Sequence, residues 1–300
     1  MSHQVATLTF DVHVAEGVPI VGEPPPGERQ RFWSPISATL ISGERDAVLV
    51  DALMTVDQAR DLVGWIAAAG KNLTTIYITH DHGDHWFGLG EVLERFPDAR
   101  AVALPGVVER MRRASTPEQV ASSWRSRLPG QIPDKLVLAE PLDGHTLELE
   151  GRELVAIEVG HTDTDHTTVL HVPDIGLVVA GDAAYNDVHL YLAESTPELR
   201  QEWLAALDTI DSLRPRAVVA GHKRAERGDD LGSSRRPAAT SAISTASQRT
   251  RARRKSATSR FSRSIRTAST QARSGTRPRW RLPARPRRDV SHRRGEQDDR

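Results

Sequence analysis

The chain has 300 residues, with 40 Lys and Arg, 40 Asp and Glu and no cysteine, which is room for one large domain or two small ones. The absence of cysteine excludes disulfides and any metal site with thiolate ligands. No apolar run approaches the roughly 20 residues that span a bilayer, and the first residues lack the basic and apolar segments of a signal peptide. We therefore expect a cytoplasmic protein that does not enter a membrane.

The charge is unevenly distributed along the chain, although the formal total is zero. Residues 1–231 carry 20 Lys and Arg against 36 Asp and Glu, whereas residues 232–300 carry 20 against 4. An acidic globular domain joined to a strongly basic tail is the organisation that this predicts.

The first half of the chain alternates predicted strands and helices. A capping box at Thr55-Val56-Asp57-Gln58 predicts the start of an amphipathic helix that ends at Gly70. Pro105 opens a helical region that is interrupted near residues 115–118 and reaches about Arg127. Apolar and alternating runs predict strands at 5–12, 36–41, 47–50, 75–78 and 101–104, with a short helix at 87–95.

The second half is mainly β, with one helix before the last strand. Its predicted strands are 136–138, 146–149, 154–159, 168–172, 177–180 and 216–220, and the helix runs from Thr196-Pro197-Glu198 to about residue 213. Two groups of strands, each followed by helices, indicate two sheets packed face to face with helices outside. The predicted fold class is α/β.

The densest cluster of chemical groups is Thr79-His80-Asp81-His82-Gly83-Asp84-His85. It follows a predicted buried strand directly, at the strand end where α/β sheets usually carry their chemistry. His80 and His82 can face one metal ion, while Asp84 and His85 face another. Nitrogen and oxygen donors without sulfur favour Zn²⁺, with Mn²⁺ or Fe as alternatives.

Three further candidate ligands stand at other strand ends, each preceded by glycine: His161, Asp182 and His222. Glycine lets the chain turn sharply and bring the side chain to the sheet edge. His166 is a rival to His161, which we prefer because it lies nearer to the strand.

The pattern His80-x-His82-x-Asp84-His85 resembles the signature of the metallo-β-lactamase-fold superfamily of metallohydrolases, over roughly residues 5–225. The resemblance implies an αββα sandwich of two mixed β-sheets flanked by helices. It assigns His80, His82 and His161 to one metal, and Asp84, His85 and His222 to the other, with Asp182 bridging. It also implies that Asp51 orients the ligands from behind and that helices near residues 105–127 cover the active site.

Such a site predicts a hydrolase with two Zn²⁺ ions that acts on a small-molecule ester, lactone or thioester. A hydroxide bridging the ions would be the nucleophile, with Asp84 orienting it. Tyr185, three residues after Asp182, has the aspartate–tyrosine spacing of the N-acyl-homoserine lactone lactonases of this superfamily. It could donate to the developing oxyanion, or it could be a packed aromatic side chain.

Two other functions compete with this reading. A mononuclear-iron persulfide dioxygenase would use the same fold with fewer ligands, and the complete second ligand set disfavours it. A nucleic-acid-processing member is suggested by the basic tail but opposed by the acidic core, which repels polyanions.

Other side chains near the motif remain open between packing and function. Trp86 could line the site or belong to the core, and His189 could face the substrate. An arginine cluster at 110, 112, 113, 125 and 127 could meet an anionic substrate or form a solvated helix face.

The basic tail contains only five Val, Leu, Ile, Met or Phe residues in positions 232–300. So little apolar surface cannot offset the entropy of ordering the segment, which predicts disorder. The tail is either a nucleic-acid-binding arm or the out-of-frame translation of a GC-rich gene, and its Arg-, Ala- and Pro-rich composition favours the latter.

Overall fold

The computed structural model describes residues 7–230. The strands, in chain order, are β1 (Thr9–Ala15), β2 (Pro19–Ile20), β3 (Arg31–Phe32), β4 (Ile36–Ser42), β5 (Asp46–Val50), β6 (Asn72–Tyr77), β7 (Arg100–Ala103), β8 (Glu140–Pro141), β9 (Thr146–Leu149), β10 (Arg152–Gly160), β11 (Thr167–Val172), β12 (Leu177–Asn186) and β13 (Ala217–Lys223). The helices are α1 (Val56–Ala68), α2 (Leu89–Arg95), α3 (Pro105–Ala114), α4 (Pro117–Val120) and α5 (Leu199–Ser212). The predicted tail, 232–300, lies outside the described residues.

The main strands form two mixed sheets that meet at one edge. In the first, β1, β4 and β5 are antiparallel neighbours, and β5, β6, β7 and β8 are parallel. In the second, β9 to β12 are antiparallel and β13 adds in parallel to β12. A single residue pair, His222 with Ile36, joins β13 to β4 and connects the sheets. β2 and β3 form a separate hairpin.

The alternation of side chains along β13 separates the two layers of packing. Ala217 and Val219 belong to the central core, which they share with β4, β5 and β6. Val218 and Ala220 face the other way and pack in a cluster with Trp203 of α5. Because successive side chains of a strand point to opposite faces, the second sheet lies between the core and α5. The predicted αββα sandwich is confirmed.

Helix α1 begins and ends where its sequence predicts. The Thr55 side chain accepts from the Gln58 backbone N–H and the Gln58 side chain accepts from that of Thr55, both at 3.2 Å, which is a complete capping box. Gly70 has a φ of 65°, a left-handed conformation that glycine adopts without a steric penalty. Buried side chains such as Leu62 and Ile66 anchor the inner face.

Three predicted strands differ from the observed ones. Residues 136–138 are not a strand, because their apolar side chains pack against the core without backbone pairing, and the short β8 begins only at Glu140. β12 and β13 extend beyond their predicted ends and carry Asp182 and His222 within the strands. Gly221 is therefore not a turn residue. It lets β13 approach the Asp182 side chain closely, since a Cβ there would lie 2.2 Å from Asp182 Oδ1.

None of the helices in residues 7–230 has the length and apolar character needed to cross a membrane.

Candidate metal centre

Side chains from the loop after β6, the loop after β10, and strands β12 and β13 converge at one place. Their ligand atoms form two groups, within each of which the atoms lie no more than 4.8 Å apart. The first group comprises His80, His82, Asp163 and Asp182, and the second comprises Asp84, His85 and His222. Six of the seven residues predicted as metal ligands are therefore brought together, with Asp163 in addition.

Asp182 lies between the two groups. It belongs to the first, and its Oδ1 is also 3.1 Å from His85 Nε2 while its Oδ2 is 3.3 Å from His222 Nε2. This is the place of a carboxylate that can serve two ions at once.

His161 belongs to neither group. Its Nδ1 is 2.6 Å from Asp165 Oδ1, and its Nε2 is buried without a hydrogen-bond partner among the described residues. The rival His166 is exposed and contacts Glu158 at 2.9 Å, also outside both groups.

Buried polar atoms without hydrogen bonds test whether cations fit here. In the part of the chain that the structure describes, such an atom is found on the predicted ligand His161, at Nε2, and on four members of the two groups: His80 Nε2, His85 Nε2, Asp163 Oδ2 and Asp182 Oδ1. A buried polar atom without a hydrogen bond costs about 1–3 kcal/mol. Four of the five have only ion-pair contacts within the cluster, His80 Nε2 with Asp163 Oδ2 at 3.7 Å and His85 Nε2 with Asp182 Oδ1 at 3.1 Å. Imidazole nitrogens and carboxylate oxygens are the donors that Zn²⁺, Mn²⁺ and Fe accept. The residues present fit a divalent cation.

Hydrogen bonds on the far side of the imidazoles turn their free nitrogens inward. His222 Nδ1 donates to the Pro35 carbonyl at 2.9 Å, and His85 Nδ1 is 2.9 Å from Asp51 Oδ2. Asp51 also accepts from the backbone N–H of Thr79, the residue before His80, at 2.9 Å. Such outer contacts fix the tautomer and orientation of metal-binding histidines, as the resemblance implied for Asp51.

The carboxylates dominate the electrostatics of the cluster. Burial lowers the pKa of His85, but the surrounding carboxylates, led by Asp182, outweigh it and raise the pKa well above its ordinary value. Burial also lowers the pKa of His222, yet Asp182 and Asp84 raise it to about 10. Conversely, burial raises the pKa of Asp182, but His222 and His85 hold it well below its usual range. The site therefore favours positive charge, for which protons and metal ions compete.

A cavity of about 810 Å³ opens onto the cluster and reaches Asp84, Asp182, Tyr185, His189 and His222. The large apolar side chains that are exposed in residues 7–230 are Val21, Phe32 and Tyr191, and all three line this cavity.

The arginines near the cavity differ in their availability. Arg110 is held by Asp81 Oδ1 at 2.8 Å and by Thr164 Oγ1 at 2.6 Å, so it organises the loops rather than awaiting a ligand. Arg127 is exposed and lines the cavity, and no described carboxylate forms an ion pair with it. Trp86 is fully buried and donates to the Asp81 carbonyl, so it belongs to the core.

Three residues at the site were not found from the sequence. Trp33 Nε1 donates to Asp84 Oδ2 at 2.8 Å, and Glu194 Oε1 lies 3.1 Å from His82 Nε2. Asp163 is the third. Asp163 follows His161 by two residues, so its proximity to a predicted ligand was the one available signal.

Comparison with known proteins agrees with the fold. Residues 31–222 match the family described as the metallo-beta-lactamase superfamily. A hydroxyacylglutathione hydrolase of Parasynechococcus marenigrum (strain WH8102) is 29% identical over 162 residues, 52% of this chain and 54% of the relative. The chain thus spans about half the length of that curated relative.

Solved structures resemble the fold at low sequence identity. A metallo-beta-lactamase family protein of Thermus thermophilus aligns with a TM-score of 0.54 and 22% identity, covering 81% of this chain and 80% of that one. The metallo-beta-lactamase FIM-1 of Pseudomonas aeruginosa, solved in a mono-zinc form, aligns with a TM-score of 0.53 and 15% identity, covering 81% and 98%.

Proposed function

Since the chain belongs to the metallo-beta-lactamase superfamily, we propose that it is a dinuclear metal-dependent hydrolase of an ester, lactone or thioester. The observation that carries the proposal is the set of buried polar atoms without hydrogen bonds in two clusters of imidazoles and carboxylates. No hydrogen bond within the described residues satisfies these atoms, and the cavity beside them has room for a small-molecule substrate.

Two Zn²⁺ ions are the proposed cofactors, with Mn²⁺ or Fe as alternatives. His80, His82 and Asp182 would hold one ion, while Asp84, His85 and His222, with Asp182 shared, would hold the other. The sequence pattern assigns the remaining ligand of the first ion to His161. Bound ions supply Lewis acidity and acidify a coordinated water towards neutral pH.

Asp84 is proposed as the group that positions the attacking water. Burial raises its pKa, but His85 and His222 hold the pKa well below its usual range, so the side chain stays a carboxylate at neutral pH. Trp33 fixes the carboxylate through the hydrogen bond to Oδ2. Asp84 faces the cavity and can accept a hydrogen bond from water there, and then its proton.

Tyr185 is the proposed hydrogen-bond donor to the oxygen of the substrate carbonyl. Burial raises its pKa well above the ordinary value, and Asp182 raises it further, so the phenol keeps its proton. The hydroxyl donates to Asp182 Oδ2 at 2.6 Å. The ring stacks on His222, with centroids 5.4 Å apart, which holds it at the cavity wall.

The cavity supports a substrate with an apolar portion and an acyl group at the metal centre. Val21, Phe32 and Tyr191 provide apolar surface, and Arg127 can pair with an anionic group at the rim. The matched relative is named for hydrolysing hydroxyacylglutathione, an acyl conjugate of glutathione. This name favours an acyl substrate, and among an ester, a lactone and a thioester it favours the thioester.

Metal analysis combined with substrate turnover tests this proposal. The full chain is expected to contain two Zn²⁺ or Mn²⁺ ions and to hydrolyse members of a lactone, thioester and aryl ester panel. Chelation should abolish turnover, and either metal should restore it. Asp182→Asn should lower metal content because a neutral amide offsets less cationic charge, whereas Asp187→Asn, on the exposed loop after β12, should retain both ions.

One tightly held iron with oxygen consumption on a persulfide substrate would instead establish the dioxygenase. That alternative stays in view because the first cluster contains the two imidazoles and the carboxylate typical of non-haem iron sites.

A further inference from the structure

We propose that Glu194, on the segment between β12 and α5, is a positioning residue that holds His82 towards the first metal ion and thereby raises the affinity of that ion's site. The inference rests on the proposed function only in assuming that an ion binds among His80, His82 and Asp182. It adds an outer partner to these ligands and leaves the ligand set, including His161, as the sequence pattern assigns it.

The two ring nitrogens of His82 contact different carboxylates. Nδ1 lies 2.7 Å from Asp163 Oδ2, within the first ligand group, whereas Nε2 lies 3.1 Å from Glu194 Oε1. An ionised carboxylate accepts hydrogen bonds and donates none, so Nε2 keeps its proton in this contact. Nδ1 is then the nitrogen that can lose its proton and bind an ion. The contact with Glu194 therefore selects the tautomer that a metal-binding histidine needs.

Glu194 is itself held at both of its carboxylate oxygens. Thr164 Oγ1 donates to Oε2 at 3.0 Å, which leaves Oε1 for His82. Arg110 supports this pair, since its Nη2 lies 2.6 Å from Thr164 Oγ1 and 4.0 Å from Glu194 Oε2. Burial raises the pKa of Glu194, but His82 and Thr164 outweigh burial and hold the pKa below its usual value. Glu194 is therefore a carboxylate at neutral pH, with a fixed direction.

His82 needs such a partner more than the other histidines of the loop after β6. Its side chain is 17% exposed at the cavity wall, whereas those of His80 and His85 are 0% exposed. Packing alone restricts a fully buried imidazole, but the second side-chain torsion of histidine is broad, so a ring at a cavity wall has room to turn. The Tyr191 ring contacts His82 edge-on, with centroids 5.5 Å apart, and does not fix which nitrogen faces inward.

The outer partner of His82 also differs in its exposure from that of His85. Asp51, which contacts His85 Nδ1, is buried and holds the metal loop through Thr79 as well. The Glu194 side chain is 43% exposed and lines the cavity. Glu194 can therefore be substituted without emptying a packed core, which makes its effect on the metal site measurable.

Zinc affinity of full-length variants tests this role. Titration of the metal-free protein with Zn²⁺ against a chelating dye gives the dissociation constants of both ions. Glu194→Ala is expected to weaken one ion about 10- to 100-fold, the usual effect of losing an outer partner, and to leave the other unchanged. Glu194→Gln should weaken the same ion less, because the amide oxygen still accepts from Nε2–H but carries no charge.

Glu202→Ala, which removes an exposed carboxylate on α5, is the matched control and should keep both dissociation constants. A second measurement reports on the imidazole directly. Histidine-selective ¹H–¹⁵N NMR spectra of the Zn²⁺-loaded protein should contain an imidazole N–H signal that Glu194→Ala loses through exchange with water. The signal should persist in Glu202→Ala.

Two unchanged dissociation constants in Glu194→Ala would overturn the inference, and so would an equal weakening of both ions, which indicates a general loss of structure. Circular dichroism verifies the folding of each variant, and Glu194→Gln carries the test if Glu194→Ala does not fold. Because the readout is metal affinity, it is obtained whether or not any substrate is turned over. An unmodified chain that binds two ions but hydrolyses nothing contradicts the proposed function alone, and one that binds none contradicts both.

Discussion

At the scale of single residues, the Tyr185 hydroxyl lies between the cavity and a proposed metal ligand. It lines the cavity and donates to the Asp182 carboxylate, which lies between the two ligand groups. A group in that place can stabilise the charge that develops on a substrate oxygen, and it can also restrain Asp182. The two roles are separable, because the first affects the chemical step and the second affects metal binding.

Tyr185→Phe is expected to keep both metal ions and to lower kcat by about 10²-fold with little change in KM, as loss of one oxyanion donor does. Steady-state kinetics with metal analysis measure both quantities. Tyr191→Phe removes a hydroxyl at the exposed rim of the same cavity and should leave kcat unaltered. An unchanged kcat in Tyr185→Phe would make Tyr185 a packing residue, and a lost ion would make it a support of Asp182.

At the scale of elements, the turn between β4 and β5 depends on a side chain from the other sheet. Glu150, between β9 and β10, accepts from the backbone N–H groups of Glu44, Arg45 and Asp46 at 2.7–2.9 Å. Those hydrogen bonds lower the pKa of Glu150 to about 2. Gly43 leaves the necessary space, since a Cβ there would lie 2.6 Å from Glu150 Oε2. These hydrogen bonds connect the two sheets through residues that are distant in sequence from the metal motif.

Glu150→Gln removes the negative charge from the acceptor of these hydrogen bonds. It is expected to lower Tm at pH 7 by about 2–4 °C, the shift that a small loss of stability produces in a domain of this size. The folded-state pKa lies below the ordinary value of 4.5, so the carboxylate contributes its stability above about pH 4.5 and loses it as the pH falls towards 2. The difference between the variant and the parent should therefore shrink over that range. Thermal melts from pH 7 to pH 3 measure it.

Glu148→Gln, on the exposed face of β9, is the matched control and should melt like the parent at every pH. If the Glu150 variant and the parent differ by the same amount at pH 3 as at pH 7, the charge of Glu150 is not what stabilises the turn.

At the scale of the whole molecule, we expect the acidic domain to bind the metal ions without help from the basic tail. Within the described residues 7–230 lie the two groups of candidate ligands and two hydrophobic clusters. The chain after β13 still contributes to that domain, because Val218 N–H donates to the Asp229 carbonyl and Lys223 pairs with Asp229. A boundary just after Leu231 therefore spares these contacts.

A chain truncated after Leu231 is expected to retain both metal ions and the kcat of the full chain. Metal analysis and kinetics measure this, and loss of the ions would show that residues 232–300 contribute to the fold. Salt-sensitive DNA binding by the full chain, together with an intact reading frame across codons 225–240, would favour the binding arm over out-of-frame translation.

Features that depend on neighbouring residues could be predicted from the amino-acid sequence alone. The capping box of α1 and the β4–β5 hairpin need only short-range contacts, and they were predicted close to their observed places. His80, His82, Asp84 and His85 lie within six residues after a strand, so the turn brings them together whatever the rest of the fold does. The two-sheet sandwich followed from the order of strands and helices, since each apolar face has to be covered.

Which distant side chains reach this cluster depends on the packed sheets and could not be predicted. Trp33 meets Asp84 across 51 residues, and Glu194 meets His82 across 112. Asp163 reaches the site by the path of one loop, two residues from the histidine that the pattern favoured. Periodicity reports which face of an element is buried. The direction of a loop side chain depends instead on hydrogen bonds and packing that exist only after the sheets have met.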